Sequence, residues 1–246
     1  MNPISFKNLQ KSFKYGLNKH QKVLESISLD IKEGEVFGFL GPNGAGKSTA
    51  INTMLGFIKP DQGEVLINGL SSLDPSSRKS LGYLPEHPNF SEYLTAGELV
   101  EFSGLASGME RDKLKESIDP ILDKVELLEF KKRAAKTFSK GMKQRIGLAM
   151  ALISNPPILI LDEPMSGLDP MGRKLVTDLI LELKKKGKTI FFSTHILNDV
   201  EILCDRIAVI NKGDILYCGS TEDLISNQKN LEDAFMALIR GNDSIS

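Results

Sequence analysis

Cysteine is nearly absent. Two residues, Cys204 and Cys218, in a chain of 246 are too few for a disulfide framework. With three histidines beside them, no second Cys/His pair completes a thiolate metal site, and both thiols are expected to be plain and reduced. Long apolar runs are missing as well. A bilayer-spanning helix needs about 20 consecutive apolar residues, whereas runs such as Ile158 to Leu161 are broken by proline or charge. The opening MNPISFKNLQ lacks the basic-then-apolar pattern of a secretory signal, so a cytoplasmic location is expected. Charge of one sign is lacking too: 31 Lys and Arg against 32 Asp and Glu leave a net charge of −1, which gives no global attraction to nucleic acid or acidic lipid. No nucleic-acid partner is therefore expected. The runs Lys131-Lys132-Arg133 and Lys184-Lys185-Lys186 read as solvated helix faces or ends.

What remains is ordinary globular composition, 41% hydrophobic and 26% charged, in a length that suits one compact unit with an inserted lobe. Ile27, Leu29 and Ile31 alternate with polar residues, and Ile4 and Phe6 do likewise, so the N-terminal part is expected to be antiparallel sheet. Val36 to Leu40 is apolar on both faces, as a covered central strand requires. A hairpin is signalled at Asp61-Gln62-Gly63, leading to Val65-Leu66-Ile67 and the turn Asn68-Gly69. From Thr95 the period becomes helical. Thr95 and Glu98 form a capping-box pattern, Lys113 to Leu128 continues the lobe to about Thr137, and Met142 to Ile153 forms a further helix. The strand Ile158 to Leu161, a helix with Leu175, Leu179, Ile180 and Leu183 on one face, and the strand Thr189 to Ser193 then imply parallel crossovers. Ligands of such sheets collect beyond the carboxyl ends of strands, where Gly41, Asp162 and His195 fall.

The stretch GPNGAGKST follows the apolar strand and precedes Ile51, Met54 and Leu55 at helical spacing. This is the context a phosphate loop needs: glycines let backbone N–H groups curl round an anion at the positive end of the next helix. Gly41, Pro42, Asn43, Gly44, Ala45, Gly46, Lys47, Ser48 and Thr49 form this cradle, with Lys47 on the β- and γ-phosphates and the Ser48 hydroxyl on Mg²⁺. In ILILDEP a buried strand ends in two carboxylates, which is costly unless a cation or water meets them. Asp162 then holds Mg²⁺ through water and Glu163 polarises the attacking water; the plainer reading is a strand-end turn with helix-capping acids. In FSKGMKQR, Ser139 is either a helix N-cap or, with the Gly141 backbone and Lys143, a second anion site.

Taken together and in order, GPNGAGKST, YLPE, SKGMKQR, ILILDEP, SGLD and STH resemble the ATP-binding subunit of an ABC transporter over nearly the whole chain. The resemblance implies an α/β fold: a P-loop NTPase core with a mostly parallel sheet, an N-terminal antiparallel β subdomain and an inserted α-helical subdomain. It divides the chain into a core of residues 1–86 and 138–240, a helical subdomain of residues 87–137 and a flexible tail of residues 241–246. It also implies ATP and Mg²⁺ as ligands, a second copy packed head to tail, and a separate integral membrane permease, with the chain peripheral on the cytoplasmic face. Ser139 and Gly141 then meet the γ-phosphate of ATP held by the other subunit, Asp169 belongs to a loop at that interface, and His195 is a switch residue near the γ-phosphate. Phe13 or its neighbour Tyr15 stacks on adenine.

Three positions depart from the commonest family pattern: Glu86 replaces a glutamine after YLP, and Lys140 and Met142 replace a glycine and a glutamine. Glu86 still offers an oxygen to Mg²⁺ or water but adds negative charge beside a triphosphate. With MSGLDP and LEDAF, these variants resemble the branch serving exporters of drugs, polysaccharides or lipids. Two other readings stand beside this one: a soluble ABC-type ATPase, as in iron–sulfur cluster assembly, and a small-molecule kinase on the same phosphate loop.

Overall fold

The computed structural model describes residues 2–16, 19–226 and 229–243. The chain divides into two compact units, one made of Met1–Lys79 with Thr189–Ser246 and the other of Ser80–Lys188.

The first unit opens with β1 (Ile4–Tyr15) and β2 (Lys19–Ile31), an antiparallel pair in which Ile4 faces Ile31 and Phe6 faces Leu29. Both strands run longer than the sequence alternation suggests, because three register shifts absorb the breaks between Phe6 and Ser12. The strand β3 (Val36–Leu40) is buried at all five residues, and α1 (Lys47–Met54) follows it. The strands β4 (Gln62–Ile67) and β5 (Leu70–Ser71) meet across the Asn68-Gly69 turn, completing a sheet in the order β2-β1-β4-β5.

In the second unit, β6 (Leu81–Leu84) precedes α2 (Ala96–Ala106). The capping box of α2 is present in both directions: Glu98 N donates to Thr95 Oγ1 at 3.3 Å and Thr95 N donates to Glu98 Oε2 at 2.7 Å. Helix α3 (Arg111–Lys124) stops four residues short of the expected Leu128. Glu126 turns left-handed at φ +55, and Leu127 is then buried by a short 3₁₀ turn rather than by a continued helix. Helix α4 (Lys140–Leu152) begins two residues before Met142 because Ser139 caps it, and β7 (Ile158–Asp162) follows. Helix α5 (Pro170–Lys185) buries Val176, Leu179, Ile180 and Leu183, while the expected Leu175 is only half-buried.

The chain then returns to the first unit with β8 (Thr189–Thr194), α6 (Leu197–Leu203), β9 (Arg206–Asn211), β10 (Asp214–Ser220), α7 (Thr221–Ile225) and α8 (Leu231–Asp243). Here the order is β10-β9-β3-β8, with β3 parallel to both neighbours and only β10 antiparallel. In the second unit β6 and β7 are parallel as well. The fold is therefore the α/β class expected, with a mostly parallel sheet and a separate antiparallel one. Phe37, Phe39, Phe191 and Phe192 are fully buried, and the Phe37 and Phe191 rings lie 6.0 Å apart. Each such burial contributes about 2 kcal/mol.

One boundary of the expected tail moves. Residues 241–243 are helical, because α8 is anchored by buried Leu231 and Ala234 and its last turn carries past Arg240; residues 244–246 lie outside the described set. Among the described residues no helix is long and apolar enough to cross a membrane, and Cys204 and Cys218 are not bridged.

Candidate active site

In the first unit the parallel pairing of Leu40 with Thr194 makes Gly41 and His195 leave the same edge of the sheet. Gly41 N donates to Thr194 O at 3.4 Å. A side chain at Gly41 has no room, since a Cβ there runs into the Ile210 carbonyl oxygen and lies 2.8 Å from Ile210 Cγ2. Gly41→Ala is accordingly expected to cost about 1–3 kcal/mol of stability, read as a lower midpoint in thermal or denaturant unfolding. An unchanged midpoint would show that the loop yields freely.

The loop then tightens. Ala45 N donates to Pro42 O at 3.2 Å, and Gly213, in the β9–β10 turn, donates its N–H to Ala45 O at 3.0 Å. Gly46 occupies φ +112, where only glycine is comfortable, and serves as N-cap of α1 without any side-chain cap. The first turn of α1 holds no acidic residue, so its outward N–H groups and the helix dipole, worth about half a positive charge, remain available to an anion. Asn43 and Gly44 are exposed, Pro42 half-buried and Ala45 buried. Lys47 is 7% exposed, and its ammonium donates to Gly41 O at 2.7 Å and Pro42 O at 3.4 Å, which folds the positive charge over the loop. Ser48 points to solvent and Thr49 is half-exposed.

His195 is exposed just past β8, and the next residue is tied down by Ile196 N donating to Thr194 Oγ1 at 3.0 Å. Phe13 is 40% exposed on β1, with the Lys11 ammonium 5.5 Å from its ring centroid. The side chain of Tyr15 lies outside the described residues.

In the second unit the parallel pairing of Leu84 with Leu161 makes the segments bearing Glu86 and Asp162 leave the same edge. Asp162 and Glu163 are 5% and 7% exposed. Burial, and then the Asp162 carboxylate, pushes the Tyr83 phenol up to about 12. Glu163 sits at φ +48, a left-handed conformation costing on the order of 1–3 kcal/mol for a residue other than glycine. Two hydrogen bonds pin this turn: Ser166 N donates to Glu163 O at 2.9 Å, and the buried Gln144 amide donates to Pro164 O at 3.3 Å. Glu86 is half-exposed, with Oε1 3.7 Å from His87 Nε2.

Ser139 is exposed and does cap α4, its Oγ accepting from Met142 N at 3.2 Å. Asp169 similarly caps α5, accepting from Gly172 N at 3.0 Å. Each thus has a local structural role. Gly141 is half-exposed, and a Cβ there would lie 3.6 Å from Leu168 Cδ2, so α4 begins against the loop that holds Ser166 to Asp169. Sequence reasoning overlooked Gln144. Its signal was legible, because an amide at helical spacing with Gly147, Leu148 and Ala151 on a buried face must find a partner inside.

A protein-family model described as ABC transporter matches residues 24–166, from the strand flanking the phosphate loop to the turn after Glu163. The chain belongs to the ABC transporter ATP-binding family. This ABC chain is 42% identical over 227 residues to an uncharacterized ABC transporter ATP-binding protein of Nostoc sp., a match covering 90% of the chain and 67% of that relative. It superposes on an ATP-binding subunit of an ABC transporter with a TM-score of 0.86 at 31% identity, over 96% of this chain and 99% of that one. The dimeric post-hydrolysis structure of the ATP-binding cassette MJ0796, bound to ADP and Pi, gives 0.81 at 30% identity, over 88% and 98% of the two chains.

Proposed function

We propose that this chain binds ATP with Mg²⁺ and hydrolyses it to drive transport of a substrate, in the direction of export, through a separate integral membrane permease. The observation that carries the reading is the uncapped N-terminus of α1 beneath a glycine loop, with buried Lys47 folded over it. Lys47 and the N–H groups of Gly44 to Lys47 hold the phosphates, and Thr49 completes the cradle. Phe13 or Tyr15 stacks on adenine.

The donor set suits Mg²⁺, since Ser48 and Asp162 offer the hard oxygens it prefers. When bound, Mg²⁺ neutralises charge on the β- and γ-phosphates. Glu86 supplies a further oxygen. Glu163 accepts the proton of the attacking water as general base, and His195 steadies the γ-phosphate.

The working unit is a head-to-tail homodimer, in which Ser139 and Gly141 of one copy meet the γ-phosphate held by the other and Asp169 lies at the interface. The exposure of Ser139 supports this, as does the dimeric state of the MJ0796 cassette. The chain works as a peripheral subunit on the cytoplasmic face. Residues 87–137 are the helical subdomain that meets the permease, a reading supported by the exposed apolar side chains of Phe102 and Tyr93. The export direction rests on the MSGLDP and LEDAF variants.

ATP turnover per chain is expected to rise with protein concentration, as assembly of composite sites requires. Ser139→Arg is expected to lower turnover by about a hundredfold while fluorescent-ATP binding to the single chain persists. Turnover insensitive to both concentration and Ser139→Arg would favour a self-contained phosphoryl-transfer site of the kinase kind.

A further inference from the structure

Gln144 is a polar side chain at the buried face of α4, 2% exposed, and its amide nitrogen donates to the carbonyl of Pro164. That carbonyl belongs to the residue immediately after Glu163. The placement is pointed, because the turn is short of backbone donors and strained at once. Pro164 has no N–H, Glu163 is left-handed at φ +48, and Glu163 O is already engaged by Ser166 N. A strained conformation persists only where its surroundings over-determine it. With Ser166 N on one carbonyl and Gln144 Nε2 on the next, both peptide groups after the Glu163 Cα are held.

The other end of the same helix gives this bond a second consequence. Ser139 caps α4, the Lys140 stem lies against Gly167, and Gly141 packs on Leu168. The first two turns of α4 are thus attached to the segment from Pro164 to Leu168 at successive points, the innermost being Gln144.

We infer that Gln144 is a positioning residue for hydrolysis: its amide fixes the Glu163 turn and transmits the placement of the α4 N-terminus to the aim of the Glu163 carboxylate. This rests on the reading of Glu163 as general base. Seating of Ser139 on a nucleotide held by a second copy then bears on the base of its own copy through one rigid turn of helix, which couples the two sites of a dimer. Gln144 touches no reacting atom. Its effect is on orientation, where a small misplacement of a catalytic group is costly.

The test uses the full chain with Gln144→Met, which keeps the volume and removes the donor, and Gln144→Glu, which keeps the shape and replaces donor with acceptor. ATP turnover, KM and ATP-dependent dimer formation are measured, the last in the Glu163→Gln background. Both changes are expected to lower kcat by about tenfold with KM within about twofold. In the Glu163→Gln background neither is expected to weaken the ATP-dependent dimer, because the group they aim is already disabled. Unchanged kcat in a native-like folded variant, a rise in KM alone, or loss of the dimer in the Glu163→Gln background would each overturn the inference. If the unmodified chain itself turns over no ATP, the hydrolytic reading fails and this inference with it. If the unmodified chain is active and the variants match it, only the role of Gln144 fails.

Discussion

Glu163→Gln is expected to lower ATP turnover by a factor on the order of 10² to 10⁴ while ATP binding is retained. Glutamine keeps the size of the side chain, and the carbonyls of Glu163 and Pro164 that accept from Ser166 N and Gln144 Nε2 are unchanged by the substitution. What it loses is a proton acceptor. ATP bound at composite sites then persists, so the dimer lives longer, and size-exclusion chromatography with ATP is expected to show a dimer peak stronger than that of the unmodified chain. The trapped variant also serves the transport reading. Tagged Glu163→Gln, captured from mild-detergent-solubilised host membranes with ATP, is expected to bring down a stoichiometric polytopic membrane protein identifiable by mass spectrometry. Undiminished turnover would falsify the assignment of Glu163, and capture of soluble partners alone would count against the permease.

The second large effect concerns Lys47. Its ammonium is buried, and hydrogen bonds to Gly41 O and Pro42 O keep it over the phosphate loop. Lys47→Met preserves the stem and removes a charge-assisted donor from a triphosphate, a loss of about 3 kcal/mol, or on the order of 100-fold in ATP affinity. Fluorescent-ATP titration measures this directly. Ligand-linked stability gives an independent readout: the unmodified chain gains thermal stability with Mg-ATP, and the variant at the same nucleotide concentration is expected to gain little. The unliganded variant also loses the bonds to Gly41 O and Pro42 O, at a cost of about 1–3 kcal/mol, so each chain's own midpoint without nucleotide is the baseline for its shift. Equal ATP affinities for the two chains would remove Lys47 from phosphate binding.

Much of this was legible before any coordinates. The apolar run Val36 to Leu40 announced a strand buried on both faces, and all five residues are buried, because a run without polar positions has no solvent face to offer. Thr95 and Glu98 announced their helix start through a reciprocal bond that needs no tertiary partner. Other boundaries slipped where non-local packing overrode local pattern. Helix α3 stops at Lys124 because burying Leu127 through a left-handed turn at Glu126 outweighs continuing the helix. The buried face of α5 takes Val176 in place of Leu175, since the helix is rotated slightly from where its leucines alone would set it.

For the candidate site the division is similar. Spacing alone pointed to the glycine loop, the acidic strand end and Ser139 as a capping candidate, because each rests on chemistry within a few consecutive residues: glycine backbone freedom, one lysine, two carboxylates, one capping hydroxyl. The helix start at Lys140 rather than Met142 did not follow from it. Only the tertiary structure decided that Gly41 must lack a side chain against Ile210, that Glu163 sits in a strained left-handed turn, and that Gln144 reaches across from α4 to hold it. These facts are contacts between residues far apart along the chain. They depend on how α4, β7 and the sheet edges pack, and packing is a property of distance in space that the local pattern of residues does not encode.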